Sequence, residues 1–455
     1  MRNSNLAGPG VMPNAALAIC EPLRMDDVVT KILKRWALLI GAAAMGFALA
    51  GCGGSNDSSG SASVRLANAT LSHASLDLLA NSSTVSTATA TDTIGNYVGV
   101  TAGVNIPLQV NASGSGTALA TTVKSLTGGN HYALVAYESN GAVKTALVSE
   151  DYAVPPANTA QLRIYNAAPE AGNLDVYITD PAADLSAGSP ITLTAGGATI
   201  AGPTTYGPGT YRVRVTGSGN KSDLRLDIPA VALTNQQVGM IILTPASGGV
   251  LLNGATLIQQ LTYTASRNTN VRVRLAGAVS GGASVAALAG STPIDAGSVA
   301  PSFSDYVLVP ATSALNISVN GASVGAPATP LVAGSDMTLL VYGSAASPTA
   351  SLITDDNRAT GDTTSVKMRV INGITGSAGS LRLTANTSLV ASAVGPGVAS
   401  SYATVPVIQN PVALSLTSNT VGGTLFSTSV TLNPGSSYTV MFGGDIATTP
   451  AYFIR

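Results

Sequence analysis

The sequence is poor in the residues that most often carry out chemistry or cross-link a fold. It has two cysteines and two histidines among 455 residues, and aromatic residues make up only 4%. Charged residues reach 9%, against about 25% in typical soluble domains. The formal net charge is −1 and no basic run appears, which argues against nucleic-acid binding by phosphate neutralisation. Stability must therefore come from hydrophobic cores, for which 45% hydrophobic residues are available.

The N-terminal region has the pattern of an export signal. A basic flank precedes 15 apolar or small residues, 36–50, as is typical of a secretory signal peptide. As a helix this run would reach about 22 Å, short of the roughly 30 Å hydrocarbon core of a membrane. We therefore predict that residues 1–51 are a cleaved signal peptide. Residues 1–24 fit no signal pattern, so a start at Met25 is an alternative to Met1.

The end of the apolar run resembles the lipobox of bacterial lipoproteins, in the order Leu49, Ala50, Gly51 and Cys52. The resemblance implies cleavage before Cys52 and a diacylglycerol on its sulfur, with membrane lipid as the partner. Two or more acyl chains anchor a protein stably. A polar tether over residues 52–62 follows. By resemblance to lipoprotein sorting in proteobacteria, Gly53 after the cysteine implies the outer membrane of a bacterial envelope. The alternative is a plain signal sequence with cleavage elsewhere.

A repeat runs through the rest of the chain. Four segments begin with an apolar residue, Arg and a second apolar residue, at Arg65, Arg163, Arg274 and Arg369. Twelve residues later, or thirteen in the last copy, a second short strand carries Asp77, Asp175, Ala286 and Arg382. A tyrosine follows in each copy, at Tyr97, Tyr206, Tyr306 and Tyr402. The repeat predicts four modules, at residues 63–157, 158–266, 267–360 and 361–455.

Each module shows short stretches of alternating apolar and polar residues, separated by turns of Gly, Asn, Pro and Ser. Units of roughly 100 residues with about seven such strands are typical of an immunoglobulin-like β-sandwich. The Cys–Trp–Cys signature of antibody domains is absent, so only the architecture is implied. We predict an all-β protein of tandem immunoglobulin-like β-sandwich domains.

The repeated residues allow two structural predictions. If the first two strands of a module are neighbours, Arg65 faces Asp77 and Arg163 faces Asp175 as cross-strand ion pairs. In the fourth module the same register would set Arg369 against Arg382. The repeated tyrosines are predicted to fill the core, because burial is the commoner use of aromatic rings; a corner hydroxyl is the alternative.

The first two modules resemble a family of bacterial secreted and surface domains catalogued as domain of unknown function 4397. Two patterns carry the resemblance: the Leu66–Ala69 turn with Leu76–Leu78, and Ile164–Pro169 with Leu174–Tyr177. Modules three and four keep the spacing but lose the aspartate. The resemblance implies an all-β extracytoplasmic domain and no established activity.

Candidate catalytic or metal-binding residues are few, and no catalytic set is predicted. No G-x-S-x-G elbow lies between a strand and a helix. His73 and His131 lack the close spacing of zinc ligands and are interpreted as polar residues at strand ends. One acidic segment is a weak calcium candidate with the donors Asp355, Asp356, Asn357 and Asp362; a solvated linker is the alternative.

These observations favour a membrane-anchored extracytoplasmic lipoprotein with a structural, adhesive or binding role and no catalysis. An envelope protein or a glycan is a possible partner, and no cofactor is expected. The alternatives are a carbohydrate- or polymer-binding surface protein and, less favoured, a hydrolase.

Overall fold

The computed structural model describes residues 60–195, 199–376, 379–446 and 451–454. The predicted signal peptide and Cys52 lie outside these residues. The described chain is built from β-strands joined by turns, with two short 3-10 segments at Pro169–Ala171 and Leu185–Ala187. None of its helices has the length and apolarity that crossing a membrane would require. The all-β prediction is confirmed.

The strands form four consecutive sandwiches, each made of two sheets. Those of the first sandwich are β1 (Ser61–Asn68), β2 (Ser75–Ala80), β3 (Ser83–Ala90), β4 (Thr93–Ile94), β5 (Val98–Thr101), β6 (Gly103–Ala112), β7 (Ala118–Leu126), β8 (His131–Ser139) and β9 (Ala142–Ser149). Those of the second are β10 (Ala160–Asn166), β11 (Leu174–Thr179), β12 (Ile191–Leu193), β13 (Thr199–Tyr206), β14 (Gly209–Gly217), β15 (Leu224–Leu233), β16 (Val238–Pro245), β17 (Leu252–Ile258) and β18 (Tyr263–Ser266).

The other two sandwiches repeat this order. The third contains β19 (Asn270–Ser280), β20 (Ser284–Ala289), β21 (Thr292–Val299), β22 (Ser302–Phe303), β23 (Val307–Pro310), β24 (Leu315–Val319), β25 (Ala322–Val324), β26 (Asp336–Ser344) and β27 (Ser347–Asp355). The fourth contains β28 (Ser365–Thr375), β29 (Leu381–Ala385), β30 (Ser388–Val394), β31 (Ala403–Pro406), β32 (Val412–Ser418), β33 (Thr424–Val430), β34 (Ser437–Asp445) and β35 (Ala451–Ile454).

Each repeated arginine lies on the first strand of its sandwich, in the sheet that we call the arginine sheet. That strand pairs in parallel with the next-to-last long strand, as β1 does with β8 and β19 with β26. The second sheet of each sandwich, the companion sheet, is antiparallel, with the order β3-β2-β6-β7 in the first sandwich. The two sheets enclose one core per sandwich, because alternate residues such as Val64 and Leu66 point inward.

The predicted Arg–Asp ion pairs are wrong. Arg65 lies in the arginine sheet and Asp77 in the companion sheet, so the two strands are not neighbours. Arg163 and Asp175 are separated in the same way, and so are Arg369 and Arg382. Consecutive strands that belong to opposite sheets of a sandwich cannot form a cross-strand pair.

The repeated aspartate instead holds a turn of the companion sheet. Asp77 accepts hydrogen bonds from the Ser113 hydroxyl at 2.7 Å and the Gly114 N–H at 3.1 Å. Asp175 accepts from the equivalent pair, Ser218 at 3.1 Å and the Gly219 N–H at 2.8 Å. Burial by itself would raise the pKa of both carboxyls, but these hydrogen bonds outweigh it and lower both pKa values. The aspartate therefore has a structural explanation in the first two sandwiches.

The arginine sheets also pack against each other, which joins the sandwiches in two pairs. Ala133, Val135 and Val148 of the first sandwich form a buried cluster with Met240 and Ile242 of the second. A second cluster contains residues of the third and fourth sandwiches, namely Ala276, Ala278, Phe303, Leu340, Ile371 and Met441. Each arginine sheet is thus buried on both faces.

Small residues set the close approach of the sheets in the second pair. A Cβ atom added at Gly373 would lie 2.4 Å from the Ala278 Cβ, so no side chain fits there without moving a sheet. We expect Gly373→Val to lower the free energy of unfolding by about 1–3 kcal/mol through overpacking, measured by urea denaturation. Gly422→Val is the control, because the same addition there meets nothing within 4 Å. Equal midpoints for the two variants would contradict the close packing.

Candidate functional site

Two features stand out as candidate sites: buried charged clusters at the sheet interfaces, and a groove beside the last strand of the third sandwich. In the first interface, Arg65 and Glu150 form a buried ion pair, with Arg65 Nε 2.8 Å from Glu150 Oε1. Glu150 also accepts the N–H of Gln260, at 2.8 Å, from the turn between β17 and β18. This acid therefore ties the end of the first sandwich to the second.

The second interface centres on Asp355, which is fully buried at the end of β27. The carboxylate accepts hydrogen bonds from Arg369, from the Tyr306 hydroxyl and, at 2.6 Å, from the Thr338 hydroxyl. Arg274 Nη2 lies 3.5 Å from the same carboxylate. One acid from the third sandwich thus contacts two buried arginines, one from each sandwich of the pair.

Arg274 and Arg369 make equivalent hydrogen bonds to threonine hydroxyls. Arg274 Nε donates to Thr338 at 2.9 Å, and Arg369 Nε donates to Thr439 at 3.1 Å. Each threonine is the in-register partner of its arginine on the parallel neighbouring strand. Guanidinium groups keep their charge under all ordinary conditions, so this arrangement suits a permanent clamp rather than proton transfer.

Three of the four repeated tyrosines lie beside the repeated arginines, and only one packs against a core. The guanidinium carbons of Arg65, Arg274 and Arg369 lie 4.6, 4.5 and 4.7 Å from the ring centroids of Tyr97, Tyr306 and Tyr402, respectively. Cation–π stacking explains these three rings. Tyr206 does pack against the core of the second sandwich, as core filling predicts, and Arg163 instead stacks on Tyr152 at 3.8 Å. Burial raises the pKa of Tyr306 well above its usual value, and the charge of Asp355 adds to this.

The proposed calcium donors each have partners within the protein. Asp355 belongs to the arginine cluster, Asn357 donates to the Tyr306 hydroxyl at 2.8 Å, and Asp362 accepts from Thr364 at 2.7 Å. Among the residues that the structure describes, no group of three or more His, Cys, Asp or Glu side chains could hold a metal ion.

The two histidines occupy separate sites. His73 Nδ1 lies 3.2 Å from Glu138, and His131 Nδ1 lies 3.1 Å from Asp151. The rings of His131 and Tyr97 also form a T-shaped contact with a centroid distance of 5.1 Å. Each histidine is therefore paired with its own acid at a strand end.

Asp356 gives the linker after β27 a pH-dependent contribution to stability. Its carboxylate lies 2.7 Å from Arg358 and 2.9 Å from Lys367. Burial by itself would raise its pKa, but these hydrogen bonds and charges outweigh it and lower the pKa to about 2. Because the folded pKa is below the unfolded value of 3.8, the contribution is present above pH 4 and is lost as the pH falls toward 2.

We expect Asp356→Asn to flatten the fall in thermal midpoint between pH 4 and pH 2. The Asp356 side chain is 36% exposed, so solvent screening limits its contribution to less than about 1 kcal/mol. Thermal unfolding followed by circular dichroism at a series of pH values measures the change. A variant that retains the full slope of the parent would contradict this assignment.

A groove of about 550 Å³ lies beside β27. Its floor is residues 350–354 of that strand, and its walls are residues 327–329 of the third sandwich and residues 397–401 of the fourth. Arg369 also lines it, although only 2% of this residue is exposed and its guanidinium group donates to Asp355. The remaining lining consists of uncharged residues, mostly small ones. The groove size falls within the range of ligand sites, about 300–1,000 Å³.

Comparison with known proteins identifies one family. Residues 62–177 match the model of "Domain of unknown function (DUF4397)", which confirms the resemblance predicted from the sequence. The match covers the first sandwich and the first strands of the second. No curated protein matches this chain.

Two solved structures show low similarity to the chain. A putative cell adhesion protein from Bacteroides uniformis is 12% identical, with 44% of this chain and 97% of that protein covered and a TM-score of 0.19. The Bacillus anthracis TIE protein is 9% identical, with 62% of this chain and 50% of that protein covered and a TM-score of 0.14. At these values neither protein informs the function of this chain.

Proposed function

We propose that this chain is a lipid-anchored extracytoplasmic protein whose β-sandwiches have a structural, adhesive or binding role without catalysis. The supporting observation is the way in which the sandwiches are joined. Arginine sheets bury their outer faces against each other, and a buried acid at the end of one sandwich contacts the next. Such joints restrict the movement of one sandwich against its neighbour.

The chemistry of the interface clusters also favours a structural role. Their cations are guanidinium groups, which do not act as acids or bases near neutral pH, and their acids are occupied by these cations. Breaking a buried ion pair by removing one partner is costly, whereas the intact pair fixes geometry. The clusters therefore act as fixed joints between β-sandwiches.

A junction between the two pairs extends the same principle. Arg272 of the third sandwich lies 3.6 Å from Asp223 of the second and 3.6 Å from Asp336 of its own. The Gly248 N–H of the second sandwich donates to the Gly334 carbonyl of the third at 3.2 Å. Such fixed joints would suit a spacer that displays its surface at a set position relative to an anchor.

The lipid anchor is tested by labelling the native host with radioactive palmitate and fractionating its membranes. We expect the parent protein to be labelled and membrane-bound, and Cys52→Ser to be unlabelled and released, because the thiol is the attachment point. Cys20→Ser is the matched control and should behave like the parent. Label retained in Cys52→Ser would overturn the anchor.

A further inference from the structure

The edge of the arginine sheet is covered in the second sandwich and open in the third. After β17 the chain turns back, and β18 adds to the sheet edge as a short antiparallel strand. Residues 254–257 of β17 pair with residues 263–266 of β18 in the antiparallel sense, so that Gly254 faces Ser266 and Leu257 faces Tyr263. In the third sandwich, β27 is the last strand in the order β22-β19-β26-β27, and no further strand pairs with it among the described residues.

The registers show which residues of β27 correspond to the covered ones. Arg163 aligns with Met240 in the second sandwich, and Arg274 aligns with Thr338 in the third. Met240 in turn pairs with Leu257, and Thr338 pairs with Ile353. Residues 254–257 of β17 therefore correspond to residues 350–353 of β27. These same four residues line the groove, so the groove occupies the position that β18 takes in the second sandwich.

The four equivalent edge strands differ in their protection against added strands. Such edges are usually protected by shortness, by charged residues, by bulges or by a covering segment. β9 carries the exposed Lys144, β17 is covered by β18, and β35 has four residues. β27 has nine residues, pairs with β26 without a bulge, and has no charged residue before the buried Asp355. Apart from Pro348 near its start, β27 has none of these protective features.

We propose that β27 binds an extended, uncharged segment of a different protein, which adds to residues 350–353 as an antiparallel strand. Backbone hydrogen bonds to the edge strand would give affinity, and the two walls would select the side chains. The walls present Ala, Gly, Ser, Thr, Pro and Val, none of which carries a charge. This inference deepens the binding role proposed above and does not depend on the lipid anchor.

A direct test uses a capped synthetic peptide with the sequence of residues 259–266, QQLTYTAS, which contains β18 and has no charged side chain. The detergent-solubilised full chain is titrated with this peptide, and backbone amide exchange is followed by mass spectrometry. We expect slower exchange at residues 350–354. A peptide N-methylated at alternate residues retains its side chains but loses N–H donors, and we expect it to bind more than tenfold more weakly.

Variants of the chain complete the test. Ser351→Lys places a charge in the groove and should weaken binding more than tenfold, whereas Thr121→Lys on the exposed edge strand β7 should leave it unchanged. Three results would overturn the proposal. These are equal binding of the N-methylated peptide, protection that falls on β17 instead of β27, and a dimer of the full chain that Ser351→Lys abolishes. The last would make a second copy the occupant. None of these readouts uses lipidation, so a failed anchor leaves the test intact.

Discussion

Asp355→Ala is expected to lower the free energy of unfolding by about 3–5 kcal/mol. The substitution leaves the buried guanidinium groups of Arg274 and Arg369 without their shared carboxylate, and an uncompensated buried charge is costly. It also removes the acceptor of the Tyr306 and Thr338 hydroxyls. Urea denaturation of the full chain, followed by tyrosine fluorescence and circular dichroism, measures the change.

Two controls separate the loss of this contact from the loss of any carboxylate. Asp180→Ala removes an exposed acid from a turn and should change the free energy of unfolding by less than about 0.5 kcal/mol. Replacing Asp355 with Leu together with Arg274→Met and Arg369→Met removes the whole charged cluster and should recover most of the stability. A loss below about 1 kcal/mol in Asp355→Ala would contradict the joint described here.

Glu150→Ala is expected to have an effect of similar size, about 3–5 kcal/mol, in the first pair of sandwiches. Arg65 would remain buried without an acid, and the Gln260 N–H would lose its acceptor. Urea denaturation measures this loss as well. Because the two clusters lie in different pairs and share no partner, the losses of Glu150→Ala and Asp355→Ala should add within about 0.5 kcal/mol in the double variant.

A clear departure from additivity would show that the clusters are coupled, contrary to the separate joints described here. Glu150→Gln is the matched control for shape, since it retains the side-chain volume and one acceptor oxygen. It should be less destabilising than Glu150→Ala, although Arg65 still loses its counter-charge.

Much of the fold was predictable because the sequence repeats. Alternating residues such as Val64 and Leu66 mark strands, and the recurring arginine correctly marks the first strand of each sandwich. Which strands share a sheet was not predictable from spacing alone. The pairs Arg65–Asp77 and Arg163–Asp175 were assigned across strands that belong to opposite sheets.

The acids that pair with the repeated arginines could not be predicted from the sequence either. Glu150 directly follows β9 and Asp355 ends β27, 85 and 81 residues after the repeated arginines Arg65 and Arg274 of the same sandwiches. Their equivalence becomes visible only when the closing strands "TALVSED" and "ASLITDD" are aligned, since both acids follow the same apolar pattern. That alignment would have predicted two acids in equivalent places, but not their contact with a neighbouring sandwich.

The groove was even less predictable from the sequence, because it is formed by tertiary packing. β17 and β27 both mix apolar residues with small polar ones, and only the register shows that residues 254–257 are covered while residues 350–353 are not. One wall comes from the fourth sandwich, so the site exists only when two sandwiches are packed together.

A disulfide between the third and fourth sandwiches tests most directly that arginine sheets pack face to face. A Cβ atom at Gly443 would lie 3.2 Å from the Ala278 Cβ, slightly below the separation found in disulfides, about 3.5–4.5 Å, so a small outward shift of the sheets brings the pair into range. We predict that the double variant Ala278→Cys and Gly443→Cys forms this bond nearly quantitatively on mild oxidation, as peptide mapping would show. A control pair of Ala278→Cys with Thr121→Cys in the first sandwich should not cross-link. A folded double variant that leaves both thiols free would contradict the paired-sheet account.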